Sequence, residues 1–419
     1  MASPFVRPYV LLAALCGAGA GLWAGCSSPV DEPGSTVPGV CQAEAPVVAP
    51  QKTDILFVID NSGSMLEEQG GIARQLPDFI ARLQQGVDGV VQDFRVGVVT
   101  TSVYERADRN GDGVPEPTTQ YPSQAGRLQP VRLADGTQTG ERFLEGSDPQ
   151  LVDKFGRLVV QGTDGSGQET PFEAVRRAVT PPLSDTPLAQ GGNGGFLRDG
   201  ARLLVVVVTD EDDCSSTEAE PPVFVTPLNP QAPRDDCSEQ AAKLTPVSDY
   251  FQRFNALRDS TGARREVLWA TIGPVGLADK TAQAVVADGR VKNVDCPNSY
   301  GPGLRQREMA SLFDSQLVNL DSICRVDAQG QPSYGEALTR IASLAVTSQS
   351  IEVMNLPDPA LAQVRLTRAD GQVQICTTSS GQLAYEPSAV GRPARLYFQG
   401  SCLRRDTDKG VSVRLLCAG

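Results

Sequence analysis

The sequence predicts an α/β fold, in which helices flank a doubly wound sheet and a small C-terminal β-rich domain follows. Four short apolar runs are continuous rather than alternating, which is typical of strands covered on both faces. Segments with helical spacing separate these runs, and strands alternating with helices indicate a doubly wound sheet. After about residue 349 the helical spacing stops and only short strand-like runs remain. These three observations give the fold class.

The predicted core strands are residues 55–59 (ILFVI), 96–99 (VGVV), 203–208 (LLVVVV) and 267–272 (VLWATI). The apolar stripes of the predicted helices are Ile72, Leu76, Phe79, Ile80 and Leu83; Phe172, Val175 and Val179; Tyr250, Phe251, Phe254 and Leu257; and Leu338, Ile341 and Leu344. Pro77 falls inside the first stripe, where a proline kinks or restarts a helix. The predicted C-terminal strands are residues 351–356, 364–366, 373–375, 395–398 and 411–416, separated by turns such as Asp-Gly and Lys-Gly.

The composition narrows the classes of function. The chain has 419 residues and no histidine, which excludes Ser-His catalytic triads, His-rich zinc sites and haem ligation through histidine. The 37 basic and 50 acidic residues give a net charge of −13. Such a charge repels polyanions at long range, so no nucleic-acid partner is expected.

The first residues have the layout of a secretory leader, with one arginine, an apolar stretch over residues 9–23 and small residues before Cys26. A transmembrane helix is the alternative, but the stretch is shorter than the roughly 20 residues that a bilayer requires. Residues 22–26 (LWAGC) resemble a bacterial lipobox, although Trp23 stands where leucine is usual. We therefore predict a lipoprotein signal peptide over 1–25, lipidation of Cys26 and a flexible tether over 26–53, which is rich in Pro, Gly and Ser.

Ten cysteines occur, and eight remain if Cys16 leaves with the leader and Cys26 carries lipid. In an exported protein an even number is typical of structural disulfides. Neighbours along the chain predict the pairs Cys214–Cys237 and Cys296–Cys324. The other four are assigned as Cys402–Cys417 and Cys41–Cys376, one of several possible connectivities.

Acidic and hydroxyl side chains follow two of the predicted strands. Asp60, Ser62 and Ser64 follow the first strand with a spacing that turns alternate side chains toward one point. Asp210 follows the most apolar strand, and parallel strands of a doubly wound sheet end at the edge where ligands bind. Two carboxylates with hydroxyls are hard oxygen donors that suit Mg²⁺, Mn²⁺ or Ca²⁺. A turn in which Asp60 only binds backbone amides is the alternative.

The DxSxS sequence at Asp60, Ser62 and Ser64, with the later strand ending in Thr-Asp at Asp210, resembles the von Willebrand factor type A (VWA) family and its metal-ion-dependent adhesion site (MIDAS). The resemblance covers residues 54–346, and we set a VWA-like domain at 54–347 and a disulfide-stapled β domain at 348–419. It implies that Thr170 is a further metal ligand. It also implies a divalent cation, Mg²⁺ in first place with Mn²⁺ or Ca²⁺ as alternatives, and a partner protein whose acidic side chain fills an open coordination position.

Several of these assignments have competing interpretations. Thr170 precedes Pro171 and Glu173, a pattern that also predicts a helix N-cap with a capping box. Residues 211–213 (EDD) replace the family's usual glycine and form either a solvated acidic loop or an auxiliary cation site. A second, EF-hand-like string predicts a secondary metal site at Asp108, Asn110 and Asp112, to which Asp212 is added. An ordinary Asn-Gly/Asp-Gly turn is the alternative there, because the twelfth position is not glutamate.

The sequence thus predicts a lipid-anchored module on a bacterial outer membrane or cell surface that mediates metal-dependent protein binding or adhesion. It contacts the membrane only through the lipid. The chain is not expected to be an enzyme, since nothing marks a nucleophile or a positioned base. Two alternatives remain: a structural envelope lipoprotein whose cation only stabilises the fold, and a metal-assisted hydrolase.

Overall fold

The computed structural model describes residues 40–44, 52–86, 92–218, 221–225, 236–389 and 392–416. The predicted leader, Cys26, most of the predicted tether and Cys417 lie outside the described residues. Among the described helices, none combines the length and the apolar character needed to cross a membrane.

The structure contains nineteen strands and seven α-helices within the described residues. The strands are β1 (Val40–Glu44), β2 (Lys52–Ile59), β3 (Asp93–Thr100), β4 (Tyr104–Glu105), β5 (Ala107–Asp108), β6 (Thr119–Gln120), β7 (Phe143–Glu145), β8 (Ala201–Val208), β9 (Phe224–Val225), β10 (Val267–Gly273), β11 (Ala284–Ala287), β12 (Arg290–Asn293), β13 (Leu320–Ser322), β14 (Ser350–Val353), β15 (Ala362–Thr367), β16 (Val373–Thr377), β17 (Leu383–Glu386), β18 (Ala394–Phe398) and β19 (Gly410–Leu416). The α-helices are α1 (Leu66–Gln85), α2 (Leu151–Leu158), α3 (Pro171–Val179), α4 (Asp236–Glu239), α5 (Val247–Asn255), α6 (Leu304–Phe313) and α7 (Gly335–Val346).

A six-stranded sheet in the order β13-β10-β8-β2-β3-β7 forms the centre of the α/β body. Five of its strands are parallel, and only β7 at one edge runs antiparallel to its neighbour β3. The four predicted core strands lie within β2, β3, β8 and β10. The predicted doubly wound α/β fold is therefore confirmed, and parallel β2 and β8 place their carboxyl ends next to each other.

Helices cover both faces of this sheet. On β2, Ile55 and Phe57 pack with helices α1, α2 and α7 on one face, whereas Leu56 and Val58 pack with α3, α5 and α6 on the other. Every β8 residue is buried, as the continuous apolar run predicts for a strand covered on both faces. Pro77 lies inside an uninterrupted α1 on its exposed side, so the helix does not restart there.

The C-terminal region consists of two small antiparallel sheets, in the orders β1-β19-β15-β16 and β14-β18-β17. They share a core that joins Ile351 and Leu396 from one sheet with Val364 and Val413 from the other. All five predicted C-terminal strands are found, and the sequence reading missed β17. Strand β1 lies inside the segment predicted as a tether, yet its backbone pairs with β19.

Three disulfides join described cysteines. Cys214–Cys237 and Cys296–Cys324 agree with the predicted pairs. Cys376 is bonded to Cys402, so the predicted pairs Cys402–Cys417 and Cys41–Cys376 are wrong. The physical reason is the packing of the two sheets around a shared core, which brings β16 next to the turn after β18, a proximity that spacing along the chain does not reveal.

Candidate metal centre

Asp60 directly follows β2 and is fully buried. Its backbone N–H donates to the carbonyl of Val208 at 3.0 Å, which continues the pairing of β2 with β8 by one residue. One carboxylate oxygen accepts a hydrogen bond from the Ser62 backbone N–H at 2.8 Å, and the other accepts one from the Thr209 hydroxyl at 2.6 Å. Asp60 is thus held in place from both strands, while its oxygens keep further lone pairs.

Ser62, Ser64 and Asp210 complete a continuous polar cluster with Asp60. The two serine hydroxyl oxygens are 3.2 Å apart, and the Ser64 hydroxyl donates to an Asp210 carboxylate oxygen at 3.1 Å. Asp210 retains only 2% of its accessible surface, whereas Ser64 is half-buried. The cluster therefore lies at the carboxyl edge of β2 and β8 and reaches the surface near Ser64.

The electrostatics of the cluster are unfavourable without a cation. Burial raises the pKa of Asp60 above its ordinary value. Burial, followed by the charges of Asp60 and Glu211, raises the pKa of Asp210 well above its own. Over the described part of the chain, no lysine or arginine forms an ion pair with Asp60 or Asp210. Buried carboxylates in this position require either protons or a bound cation.

Thr170 lies at the start of α3 and is fully buried. Its hydroxyl donates to the carbonyl of Thr101 at 2.7 Å, and its backbone N–H donates to the same carbonyl at 3.1 Å. Thr101 follows β3 and is itself bonded to Ile59 of β2 through its N–H. The Thr170 hydroxyl makes no capping bond, so the alternative of a side-chain N-cap is wrong, and its oxygen remains an acceptor.

The N-terminus of α3 is capped by residues from the loop after β8. A carboxylate oxygen of Asp213 accepts the N–H of Phe172 at 3.2 Å, and the Ser215 hydroxyl accepts the N–H of Glu173 at 2.9 Å. The predicted capping box does not form, because the Glu173 carboxylate binds arginines of its own helix instead. Side chains distant in sequence therefore accept the backbone N–H groups at the start of α3, whereas the sequence pattern predicted that Thr170 and Glu173 would cap this end of the helix.

Asp212 and Asp213 are buried, so the solvated acidic loop, one of the two alternatives for residues 211–213, is wrong at these two positions. Asp212 accepts the backbone N–H groups of Arg305 and Gln306 and thereby caps α6. Asp213 forms a buried ion pair with the Arg305 guanidinium at 2.9 Å. Asp212 was also predicted as a secondary metal ligand, but its carboxylate is engaged in binding a helix terminus.

The Asp108 loop is held by its own hydrogen bonds. The two carboxylate oxygens of Asp108 accept the N–H groups of Gly111 and Gly113 at 2.9 and 2.8 Å, and the Asn110 side chain accepts the N–H of Asp112 at 2.9 Å. The Asn110 bond spans two residues, as in an Asx turn, whereas the Asp108 bonds span three and five residues. Calcium binding by Asp108, Asn110 and Asp112 stays a prediction.

Three residues beside the site were missed by the sequence reading. The Gln69 amide donates to the carbonyls of Asp60 and Gly162, which joins α1 to two loops of the site. The Thr209 hydroxyl holds Asp60. Glu169 is fully buried, and neither of its carboxylate oxygens has a hydrogen-bond partner. A glutamine or threonine carries no sequence signal of this role, but Glu169 immediately precedes a predicted ligand.

The donors present fit a divalent cation. The hydroxyl of Thr101 and the carboxylate of Glu169 are buried beside the cluster without partners. Within the described ranges, no three Asp, Glu or Cys side chains form a direct ligand group. A cation here would be held by two carboxylates and hydroxyl oxygens, completed by water, and this donor set suits Mg²⁺.

Comparisons with known proteins give only distant likenesses. No protein-family model matches the chain, and no curated protein sequence matches it. The chain is similar in structure to proximal thread matrix protein 1 from the mussel byssus, with 13% identity over 75% of this chain and 51% of that chain and a TM-score of 0.32. It therefore spans about half the length of that protein.

Two further solved structures are similar at the same level. The pilus adhesin SpaC from Lactobacillus rhamnosus GG has 12% identity over 88% of this chain and 40% of that chain, with a TM-score of 0.33. Manganese-loaded TRAP protein from Plasmodium vivax has 14% identity over 70% of this chain and 73% of that chain, with a TM-score of 0.30. At these identities and TM-scores the similarity does not indicate a function, and the evidence for function comes from the residues of the site.

Proposed function

We propose that this chain is an exported, lipid-anchored module of the VWA type that binds a divalent cation and, through it, a partner protein. The observation that carries the proposal is the pair of buried carboxylates, Asp60 and Asp210, which share a hydroxyl network and form no ion pair with a cationic side chain of the described residues. The disulfides support an oxidising compartment such as the cell exterior. Lipid attachment at Cys26 and a bacterial cell-surface location belong to the same proposal.

Asp60, Ser62, Ser64, Thr170 and Asp210 would hold the cation. The bound cation would supply an electrophilic position to which an acidic side chain of a partner binds. The residues of the chain would exclude bulk water around the two carboxylates and orient their oxygens through Ser64 and Thr209. Mg²⁺ is the expected cation, with Mn²⁺ and Ca²⁺ as alternatives.

Thermal unfolding with Mg²⁺ or with chelator tests the cation site. A ligand that binds only the folded state raises its stability, by about 2.7 kcal/mol at a hundredfold excess over the Kd. We expect Mg²⁺ to raise the Tm of the wild-type protein and to have no such effect on Asp60→Asn or Asp210→Asn. A wild-type Tm that is the same in Mg²⁺ and in chelator would contradict the proposal.

Asp54→Asn is the matched control for this experiment. Asp54 lies on β2 as well and is fully buried, but it binds Arg198 at the opposite end of the strand. The variant should lose basal stability because Arg198 loses its buried partner and keeps only the exposed Asp93, and it should keep the Mg²⁺-dependent rise in Tm. Loss of that rise in the control would show that the response reports general stability.

Partner capture distinguishes adhesion from the alternatives. Pull-down from cell-surface extracts is expected to retain a protein in Mg²⁺, to release it in EDTA, and to fail for Asp210→Asn. If Mg²⁺ raises the Tm but no protein is captured in a Mg²⁺-dependent way, the result favours the alternative of a structural lipoprotein whose cation only stabilises the fold. Turnover in a hydrolase screen that Asp60→Asn abolishes would favour a metal-assisted enzyme.

A further inference from the structure

Glu169 is a buried carboxyl group that no cationic side chain of the described residues pairs with. Its side chain has no accessible surface, and neither carboxylate oxygen accepts a hydrogen bond. No described lysine or arginine forms an ion pair with it. An uncompensated buried charge costs several kcal/mol. An ionised glutamate in this environment therefore requires a hydrogen-bond donor or a cation beside it.

The backbone around Glu169 fixes its side chain beside the candidate metal centre. Its carbonyl accepts the N–H of Cys214 at 2.7 Å, and the next residue, Thr170, is bonded to Thr101 through its N–H and its hydroxyl. These contacts tie Glu169 to the loop after β8 and to the residue after β3. A rearrangement that exposed Glu169 would break them.

The neighbours of the Glu169 carboxylate are the acids of the site. Burial raises its pKa well above the ordinary value for glutamate, and the charges of Glu211, Asp60 and Asp210 raise it further. Carboxylates offer one another no hydrogen-bond donor unless a proton is shared. Glu169 therefore lies in the same acidic cluster as Asp60 and Asp210.

Glu173 shows how the chain treats an equally buried glutamate that has only a structural role. Glu173 lies four residues further on and is 1% exposed, and its carboxylate binds Arg176 and Arg177, each at 2.7 Å. The Tyr250 hydroxyl donates to the same carboxylate at 3.3 Å. The contrast indicates that the partner of Glu169 comes from outside the protein.

We propose that Glu169 is a further functional residue of the cation site, accepting hydrogen bonds from the hydration water of the bound cation. This inference rests on the proposed cation binding at Asp60 and Asp210. Mg²⁺ keeps several water molecules when it is held by one or two carboxylates, and such water is a strong donor. Outer-shell acceptors of this kind orient the ligands and raise the metal affinity.

The test compares Glu169→Gln with Glu173→Gln, using purified protein and Mg²⁺ alone. The apparent Mg²⁺ affinity is read from the dependence of Tm on Mg²⁺ concentration and from calorimetric titration. We expect Glu169→Gln to weaken Mg²⁺ binding by about tenfold or more, the size of effect that outer-shell changes produce. In chelator its Tm should equal or exceed that of the wild type, because an unbalanced charge is gone.

Glu173→Gln should behave in the opposite way, with a lower Tm in chelator and an unchanged Mg²⁺ affinity. If that control does not fold, Glu105→Gln replaces it, since Glu105 is buried and bonded to Gly167. Unchanged Mg²⁺ affinity in Glu169→Gln, with the wild-type response intact, overturns the inference and leaves the proposed function standing. A lower Tm in chelator for both Glu169→Gln and Glu169→Ala than for the wild type also overturns the inference. A wild-type Tm that does not respond to Mg²⁺ overturns both the inference and the proposed function.

Discussion

Buried acids in this protein differ in the partners that neutralise them. Asp54, Glu173 and Asp213 each bind at least one arginine. The acids of the candidate metal centre, Asp60 and Asp210, bind hydroxyl and amide groups instead. A hydroxyl or an amide orients a carboxylate but does not cancel its charge. The arginine-paired acids therefore stabilise the fold, and the others remain available to a cation.

The Arg305–Asp213 pair provides a residue-scale prediction. Arg305→Met should destabilise the protein by about 3–5 kcal/mol, because it leaves Asp213 buried without its cation. Denaturant unfolding in chelator measures the loss. Arg325→Met is the control, since Asp321 keeps Arg340 and the pair is partly exposed; its cost should stay within about 1 kcal/mol. Equal losses of unfolding free energy for Arg305→Met and Arg325→Met would contradict this prediction.

At the scale of elements, the ends of three strands build the site and the loop after β8 supports it. Strands β2, β3 and β8 deliver Asp60, Thr101 and Asp210 to one edge of the sheet. The loop after β8 then caps α3 through Asp213 and α6 through Asp212. The same loop therefore fixes two helix termini next to the cluster, and its acids are occupied by helices instead of being solvated.

The Cys376–Cys402 disulfide provides an element-scale prediction. It closes a separation of 26 residues and connects the two C-terminal sheets. Replacing both cysteines with serine should lower the free energy of unfolding by roughly 3 kcal/mol, the usual value for a loop of this length. Chemical denaturation measures the loss, and the Mg²⁺ response should be retained because the site lies in the α/β body. Wild-type stability in the double variant would refute the assignment.

At the scale of the whole molecule, the N-terminal and C-terminal segments meet. Strand β1 lies within the segment predicted as a tether and pairs along β19 from Val40 to Glu44. A chain anchored by lipid at Cys26 would therefore pass through the C-terminal sheet, as strand β1, before it enters the α/β body at β2. In this arrangement, a force applied at the anchor would act first on the backbone hydrogen bonds between β1 and β19.

Anchoring itself is tested by Cys26→Ser. The variant should move from the membrane fraction to the soluble fraction, since a lipid chain is the only membrane contact proposed, and its Mg²⁺-dependent Tm should not change. Retention of the variant in the membrane fraction, or absence of a lipid mass on the Cys26 peptide of the wild type, would contradict the proposed lipidation.

The local pattern of the sequence was sufficient for the α/β fold class, for the four central strands β2, β3, β8 and β10, and for five strands of the C-terminal sheets. Strands such as β8 are buried on both faces, and a continuous run of valines reports that environment directly. The DxSxS spacing likewise predicts that Asp60, Ser62 and Ser64 lie together, because neighbouring residues of an extended loop alternate in direction. Asp210 could be added since parallel strands end at one edge.

Only the tertiary structure decided which distant groups satisfy each other. The hydroxyl of Thr170 binds Thr101 instead of capping its own helix, Asp213 caps that helix from another loop, and Cys376 bonds Cys402 across two sheets. Each of these contacts joins residues that are far apart in the chain, and their types do not identify the partner. Hydrogen bonds and disulfides depend on separations in space of a few ångströms, which a one-dimensional pattern does not contain.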